Sequence, residues 1–362
     1  MNVSHDIAVP SYSLTAGIAA GFAILGRVHA PLASYLTAVS ALTAVSAMLF
    51  RIMLLRKCSI TGISVLFLSA GIFCAANSSI PHAAGISSPS AAVGHLRHVI
   101  SEIPFGDQKT AALVNALVTG DKSMLDSSVK AAFRDSGASH ILALSGLHLG
   151  IIYAMLLRLM LPAGNSPAAG TARYLAVVSA SGYYTYMTDA PPSLMRAFLF
   201  ILLNETAKLL KRKTDPARTF LAALMIQLAI TPEVITSIGF QLSYLAMAGI
   251  IFIYPKLKSW YPEDGRRHVP VTALPRKIWD MAALTISCQL MTGPLAWLRF
   301  GTFPEHFLLT NLLSMPLTGI LMTSAVTTIA LSAAGLCPMF LIMVTDYSAS
   351  TLIFIMEVIA SM

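Results

Sequence analysis

Between Ser139 and Gly150 the chain reads Ser-His-Ile-Leu-Ala-Leu-Ser-Gly-Leu-His-Leu-Gly, so two imidazoles and a hydroxyl, His140, Ser145 and His148, stand at the head of an apolar run. A polar side chain without a partner in hydrocarbon costs several kcal/mol, so groups kept there serve a contact or a site. Three chemistries are open. Ser145 and His148, three apart, share one helical face, where an imidazole could activate the hydroxyl as a nucleophile, as an intramembrane serine hydrolase requires. Gly146 and Gly150 permit a broken helix beside a wet cavity, where His140, Ser145 and His148 would offer neutral hydrogen bonds to a ligand in transit. Ser145-Gly146 would serve equally as a small-residue helix contact, and His140 as an interfacial residue or a cap.

Polar groups recur farther along. Arg196 follows Pro192 by four positions and Ser193, an expected N-cap, by three. That places it in the first turn of a helix near the outer boundary, to snorkel, to pair with Asp189 or to hold a phosphate in its planar fork. Gln241 and Ser243 lie near the start of another apolar helix, as interhelical hydrogen-bonding groups or as pore lining. A pore for a polyanion needs sparse positive charge with amides and hydroxyls, because tight phosphate binding would immobilise the strand. Cys58, Cys74, Cys288 and Cys337 are far apart and offer neither a metal spacing nor a disulfide framework. Gly120-Asp121-Lys122-Ser123 is not a P-loop, because Asp121 separates the glycine from the lysine. No cofactor is expected.

The elements that must position these groups are membrane helices. The 362 residues are 56% apolar and 11% charged, against about 25% charged in a soluble domain, which predicts an all-α polytopic membrane protein. Residues 1–12 lack Lys and Arg, so the first apolar run has no signal-peptide n-region. Eleven apolar segments fall at 13–27, 33–50, 60–76, 141–161, 172–187, 193–210, 219–232, 238–255, 279–298, 306–334 and 339–361, each near the ~20 residues of a spanning helix. With the N-terminus cytoplasmic, the loops after the second, sixth and eighth segments are cytoplasmic and hold 14 of the 24 Lys and Arg, as the positive-inside rule asks. The net charge of +8 therefore records topology, and does not by itself identify a nucleic-acid partner. Residues 1–76 form the N-terminal membrane helices, 77–139 an extracytoplasmic segment and 140–362 the transmembrane core. Short amphipathic helices are expected at 91–103, 109–119 and 127–135, lying on the outer face over the mouth of the bundle.

Four motifs, Ala116-Leu117-Val118-Thr119-Gly120-Asp121-Lys122, Phe133-Arg134-Asp135-Ser136-Gly137, His140 through His148, and Gly239-Phe240-Gln241-Leu242-Ser243-Tyr244, occur in that order. Two weaker ones are Ser193-Leu194-Met195-Arg196-Ala197 and Asn311-Leu312-Leu313-Ser314-Met315-Pro316-Leu317. Together they resemble the competence domain of the ComEC family of DNA-internalisation proteins, over about residues 106–362. The resemblance implies a passive channel in the bacterial cytoplasmic membrane that conducts single-stranded DNA inward during natural transformation. Its path would run past His140, Ser145, Gly146, His148, Arg196, Gln241, Ser243 and Asn311. It also implies a periplasmic DNA receptor that delivers the substrate and a cytoplasmic ATP-driven translocase that pulls the strand. Many members carry an OB-type domain and a metallo-β-lactamase-like domain, and this chain shows neither, so a separate nuclease is expected. A complete minimal channel, one part of a split system and a truncated relic all fit. An intramembrane serine hydrolase using Ser145 and His148, and a small-solute transporter, are the alternatives.

Overall fold

The computed structural model describes residues 13–18, 20, 91–164, 166–261, 270–301, 304–336 and 338–362. The apolar segments read at 33–50 and 60–76, most of the segment at 13–27, and Cys58, Cys74 and Cys337 lie outside the described residues. The described chain is all-α: α1 (Ala91–Glu102), α2 (Gln108–Thr119), α3 (Ser127–Asp135), α4 (Gly146–Leu159), α5 (Pro167–Met187), α6 (Pro192–Leu209), α7 (Pro216–Ile230), α8 (Ile238–Lys258), α9 (Pro270–Phe300), α10 (Phe307–Ala333) and α11 (Met339–Ala360). Of these, α8, α10, α11 and the stretch Leu274–Phe300 of α9 are long and apolar enough to cross a membrane, and the protein is a membrane protein. The count of eleven spans rests on the sequence alone. With 14 residues α4 is about 21 Å long and with 15 α7 is about 22 Å, both short of a ~30 Å hydrocarbon core.

The chain forms two units, residues 1–86 with 202–244 and residues 87–201 with 245–362. The first holds an aromatic cluster, in which the Tyr244 ring centroid lies 4.6 Å from that of Phe240 and 5.6 Å from that of Phe220, while the Tyr244 hydroxyl donates to Gln227 Oε1 at 2.9 Å. In the same unit Glu205, buried in α6, accepts from Lys208 Nζ at 2.6 Å.

In the second unit, α10 and α11 pack antiparallel with α2 and α3 against them. The start of α10 and the end of α11 meet the same place: Thr310 Oγ1 donates to the Ser136 carbonyl at 2.8 Å, and Ser136 Oγ lies 3.3 Å from Met356 Sδ. Gly137 is left-handed there (φ +79°), and a Cβ on it would stand 2.6 Å from Pro304 Cβ, so only glycine lets the chain pass this close. The connection between α1 and α2 lies at a different level. Gly106 N–H donates to Asp346 Oδ2 at 2.9 Å, about 10 Å along α11 from its start. Helix α2 therefore runs beside the α10–α11 pair, with nine of its twelve residues buried, among them Leu113, Asn115 and Leu117. Of the three short helices expected over the mouth of the bundle, α2 is thus packed along its side, whereas α3 keeps only Val129, Ala132 and Phe133 buried. A second cluster joins α1, α4, α5 and α6 through Val93, Leu149, Val177, Tyr184 and Leu194.

Candidate functional site

Helix α4 does not begin where its apolar run begins. Residues 141–145 are not helical, Ile141 and Leu142 are buried in the cluster that α2, α3, α10 and α11 form, and the helix starts at Gly146 with Ser145 as its N-cap (φ −131°, ψ 169°). Ser145 Oγ accepts from Leu147 N–H at 3.3 Å, His148 Nδ1 accepts from Ser145 N–H at 3.2 Å, and Ser145 Oγ lies 2.9 Å from the same Nδ1. This is a capping box with histidine in the place usually held by Glu or Gln, and it satisfies donors that a helix start leaves open. Ser145 and His148 are accordingly a cap and its N3 partner, not neighbours on the face of a continuous helix.

The cap fixes the imidazole. An Nδ1 that accepts from a backbone N–H carries no proton, so the proton sits on Nε2, an assignment from the hydrogen bonding. His148 is 1% exposed and its Nε2 has no hydrogen-bond partner among the described residues. A serine hydrolase needs its base oriented by a third group through the other ring nitrogen. Here the nitrogen next to the hydroxyl is engaged by backbone and the other one meets no carboxylate.

Helix α6 closes against this cap. Ser193, expected as an N-cap, lies inside α6, which starts at Pro192, and its Oγ instead donates to the Leu144 carbonyl at 2.7 Å. One turn on, Arg196 is 8% exposed, and its Nη2 stands 3.2 Å from where a Cβ on Gly146 would be. The glycine gives the guanidinium room against the first turn of α4. The turn into α6 carries Asp189 and Ala190 at φ 59° and 46°, and Ala190 N–H donates to the Thr185 carbonyl at 2.9 Å. Two consecutive left-handed residues without glycine are strained, so the position of Ser193 and Arg196 is held against a local cost.

Gly120, left-handed at φ 82° and the C-cap of α2, completes the arrangement: a Cβ on it would meet Leu144 Cδ1 at 2.8 Å. Beyond it, Ser123 N–H donates to Asp121 Oδ1 at 3.0 Å, which more than any other contact holds the Asp121 carboxyl below its usual range, and Arg97 lies 3.3 Å from Oδ2. Burial, helped by the charge of Lys130, pushes the Lys122 ammonium down.

The structure thus brings Ser145, Gly146, His148 and Arg196 together at the α4–α6 contact. His140 is an exposed residue near His148 whose own Nδ1 lies 3.2 Å from the Gly137 carbonyl, which closes a turn. Asn311 follows Thr310 on α10, half-buried, with no hydrogen bond to its buried Oδ1 among the described residues. Gln241 and Ser243 belong to the other unit, where Gln241 Nε2 donates to the Ile235 carbonyl at 2.8 Å and both residues are half-buried on α8. Sequence reasoning passed over Asp346, whose place inside an apolar run was the same signal that singled out the histidines.

A family model described as Competence protein matches residues 117–362. ComE operon protein 3 of Bacillus subtilis (strain 168) is 29% identical over 142 residues, which make up 39% of this chain and 18% of that protein. An uncharacterized protein, YcaI, of Escherichia coli (strain K12) is 24% identical over 211 residues, 57% of this chain and 27% of that one. The chain spans less than a third of the length of either relative. No solved structure matches it.

Proposed function

The chain belongs to the ComEC-type competence protein family, and from that membership we propose that it takes part in DNA uptake as a passive channel for single-stranded DNA. It would lie in the bacterial cytoplasmic membrane with the N-terminus inside, and His140, Ser145, Gly146, His148, Arg196, Gln241, Ser243 and Asn311 would line the strand's path. A periplasmic receptor delivers the strand, a cytoplasmic ATP-driven translocase pulls it, and a separate nuclease removes its complement. The observation that carries this reading is the α4–α6 contact, where three separated motifs meet: Leu144 and Gly146 against Ser193 and Arg196, with Gly120 behind them. A guanidinium and a neutral imidazole N–H, held at a helix start, suit a phosphate that must be bound weakly and released. Both groups are buried, so on this reading strand entry requires the Leu144–Gly146 turn to move off α6.

The capping role of Ser145 and His148 favours the channel over the hydrolase, because the geometry of the pair is fully accounted for by the helix start. The test is transformation frequency in a host deleted for this gene and complemented in turn by the wild type, Arg196→Lys and Arg196→Ala. The wild type restores transformation, Arg196→Lys restores part of it, and Arg196→Ala falls below both. Full transformation with Arg196→Ala would remove the phosphate contact from the proposal, and no restoration by the wild type would remove the function.

A further inference from the structure

Helices α4, α10 and α11 line an open groove of about 560 Å³ that the proposed DNA path does not use. Its floor is cut by small residues: Ala154 lies on α4, and a Cβ on Gly319 of α10 would meet nothing within 4 Å. Along α10 the lining runs from Pro316 to Thr327, about 16 Å of helix, or half of a ~30 Å hydrocarbon core. The walls offer little to water. Thr323 Oγ1 donates to the Gly319 carbonyl and Thr327 Oγ1 to the Thr323 carbonyl, each at 2.7 Å, so both hydroxyl protons are engaged by the helix itself.

The charge sits at one end. Arg158, exposed in the last turn of α4, is the charged residue of the lining. It lies where α4 and α10 approach their C-termini and α11 begins, with Leu341 two residues into that helix. A groove one leaflet deep, apolar along its length and cationic at its mouth, matches a single lipid.

We propose that this groove holds one anionic phospholipid, with an acyl chain along Gly319 and Ala154 and the phosphate on the Arg158 guanidinium. The positive-inside reading puts the Arg158 end in the cytoplasmic leaflet, where anionic lipid is the natural partner of a basic side chain. Bound there, the lipid would wedge α4 against α10 at the end opposite the Ser145 cap.

Native mass spectrometry of the full chain, purified in mild detergent and titrated with phosphatidylglycerol and phosphatidylcholine of equal chain length, tests this. The wild type retains one phosphatidylglycerol with about fivefold preference, the effect of one basic residue at a membrane surface. Arg158→Gln loses the preference, Arg158→Lys keeps it, and Gly319→Leu, which fills the floor, loses both lipids while its elution and melting temperature stay as in the wild type. Equal binding of the two lipids to the wild type, an undiminished preference in Arg158→Gln, or undiminished occupancy in Gly319→Leu overturns the assignment. A dimer that excludes lipid from the groove overturns it as well.

Discussion

Replacing His148 by glutamine separates a structural imidazole from a catalytic one. Its Nδ1 accepts from Ser145 N–H at 3.2 Å and closes the cap with Ser145 Oγ at 2.9 Å. A glutamine at the third helical position makes the same backward bond through Oε1, so His148→Gln should lose less than about 1 kcal/mol. Ser145→Ala removes the side-chain cap and should cost about 1 kcal/mol. His148→Ala gives up the bond to Ser145 N–H, worth about 1 kcal/mol, and leaves a void at a position 1% exposed, for a total of about 3 kcal/mol. The double variant Ser145→Ala/His148→Ala should be less than additive by about 1 kcal/mol, because both side chains serve one cap. Thermal melting in detergent gives the stability series, and transformation frequency in a complemented deletion strain gives the function. The expected order is wild type, then His148→Gln, then Ser145→Ala, then His148→Ala in both assays. Loss of all function in His148→Gln and Ser145→Ala alike, with melting unchanged and cleavage of a membrane-protein substrate by the wild type alone, would refute the capping argument in favour of a hydrolase.

Gly146→Val should destabilise the α4–α6 contact by about 1–3 kcal/mol, since even a first carbon would stand 3.2 Å from Arg196 Nη2 and 3.4 Å from Ala197 Cβ; a melting temperature at or above the wild type's would contradict this. Asp121 has its carboxyl lowered in the folded state, so the stability it supplies is full above its unfolded pKa of about 4 and is lost as the pH falls through the lower folded value. Melting of the wild type should accordingly drop more than that of Asp121→Asn below about pH 4, by at most about 1 kcal/mol for a partly exposed pair; parallel acid limbs would count against it. Cysteine placed at Asp126 should react with an impermeant thiol reagent in intact cells and cysteine at Lys213 should not, and the reverse pattern would invert the topology.

Much of the architecture was legible because membrane helices announce themselves by length and composition. The short helix read at 127–135 is α3 residue for residue, and those read at 91–103 and 109–119 match α1 and α2 to within a residue at each end. The placement of α2 was less legible, although Ala-Ala-Leu-Val-Asn-Ala-Leu-Val carries a single polar residue, Asn115, in two turns, which points to a helix buried on most of its faces. The start of α4 was hidden for a different reason. Ile141 to Leu144 carry no turn signal, and Ser-x-x-His lacks the acidic or amide third residue of the usual capping pattern. Ser145 therefore read as part of the helix that it begins. The Ser193–Leu144 bond and the approach of Arg196 to Gly146 join residues about fifty positions apart, and neither periodicity nor local chemistry encodes which helices meet.

The most direct measurement is single-channel recording from the purified full chain in a planar bilayer, with a voltage to draw a single-stranded oligonucleotide from the side that carries Asp126. A conducting pore is expected, with blockades whose frequency rises with oligonucleotide concentration and falls with salt, and whose duration shortens in Arg196→Ala. Because each phosphate neutralised on a single strand adds roughly 0.7 to the salt slope, that variant should lose about this much of it. A bilayer that stays closed to ions and to the strand while the wild type hydrolyses a membrane-protein substrate would contradict the channel.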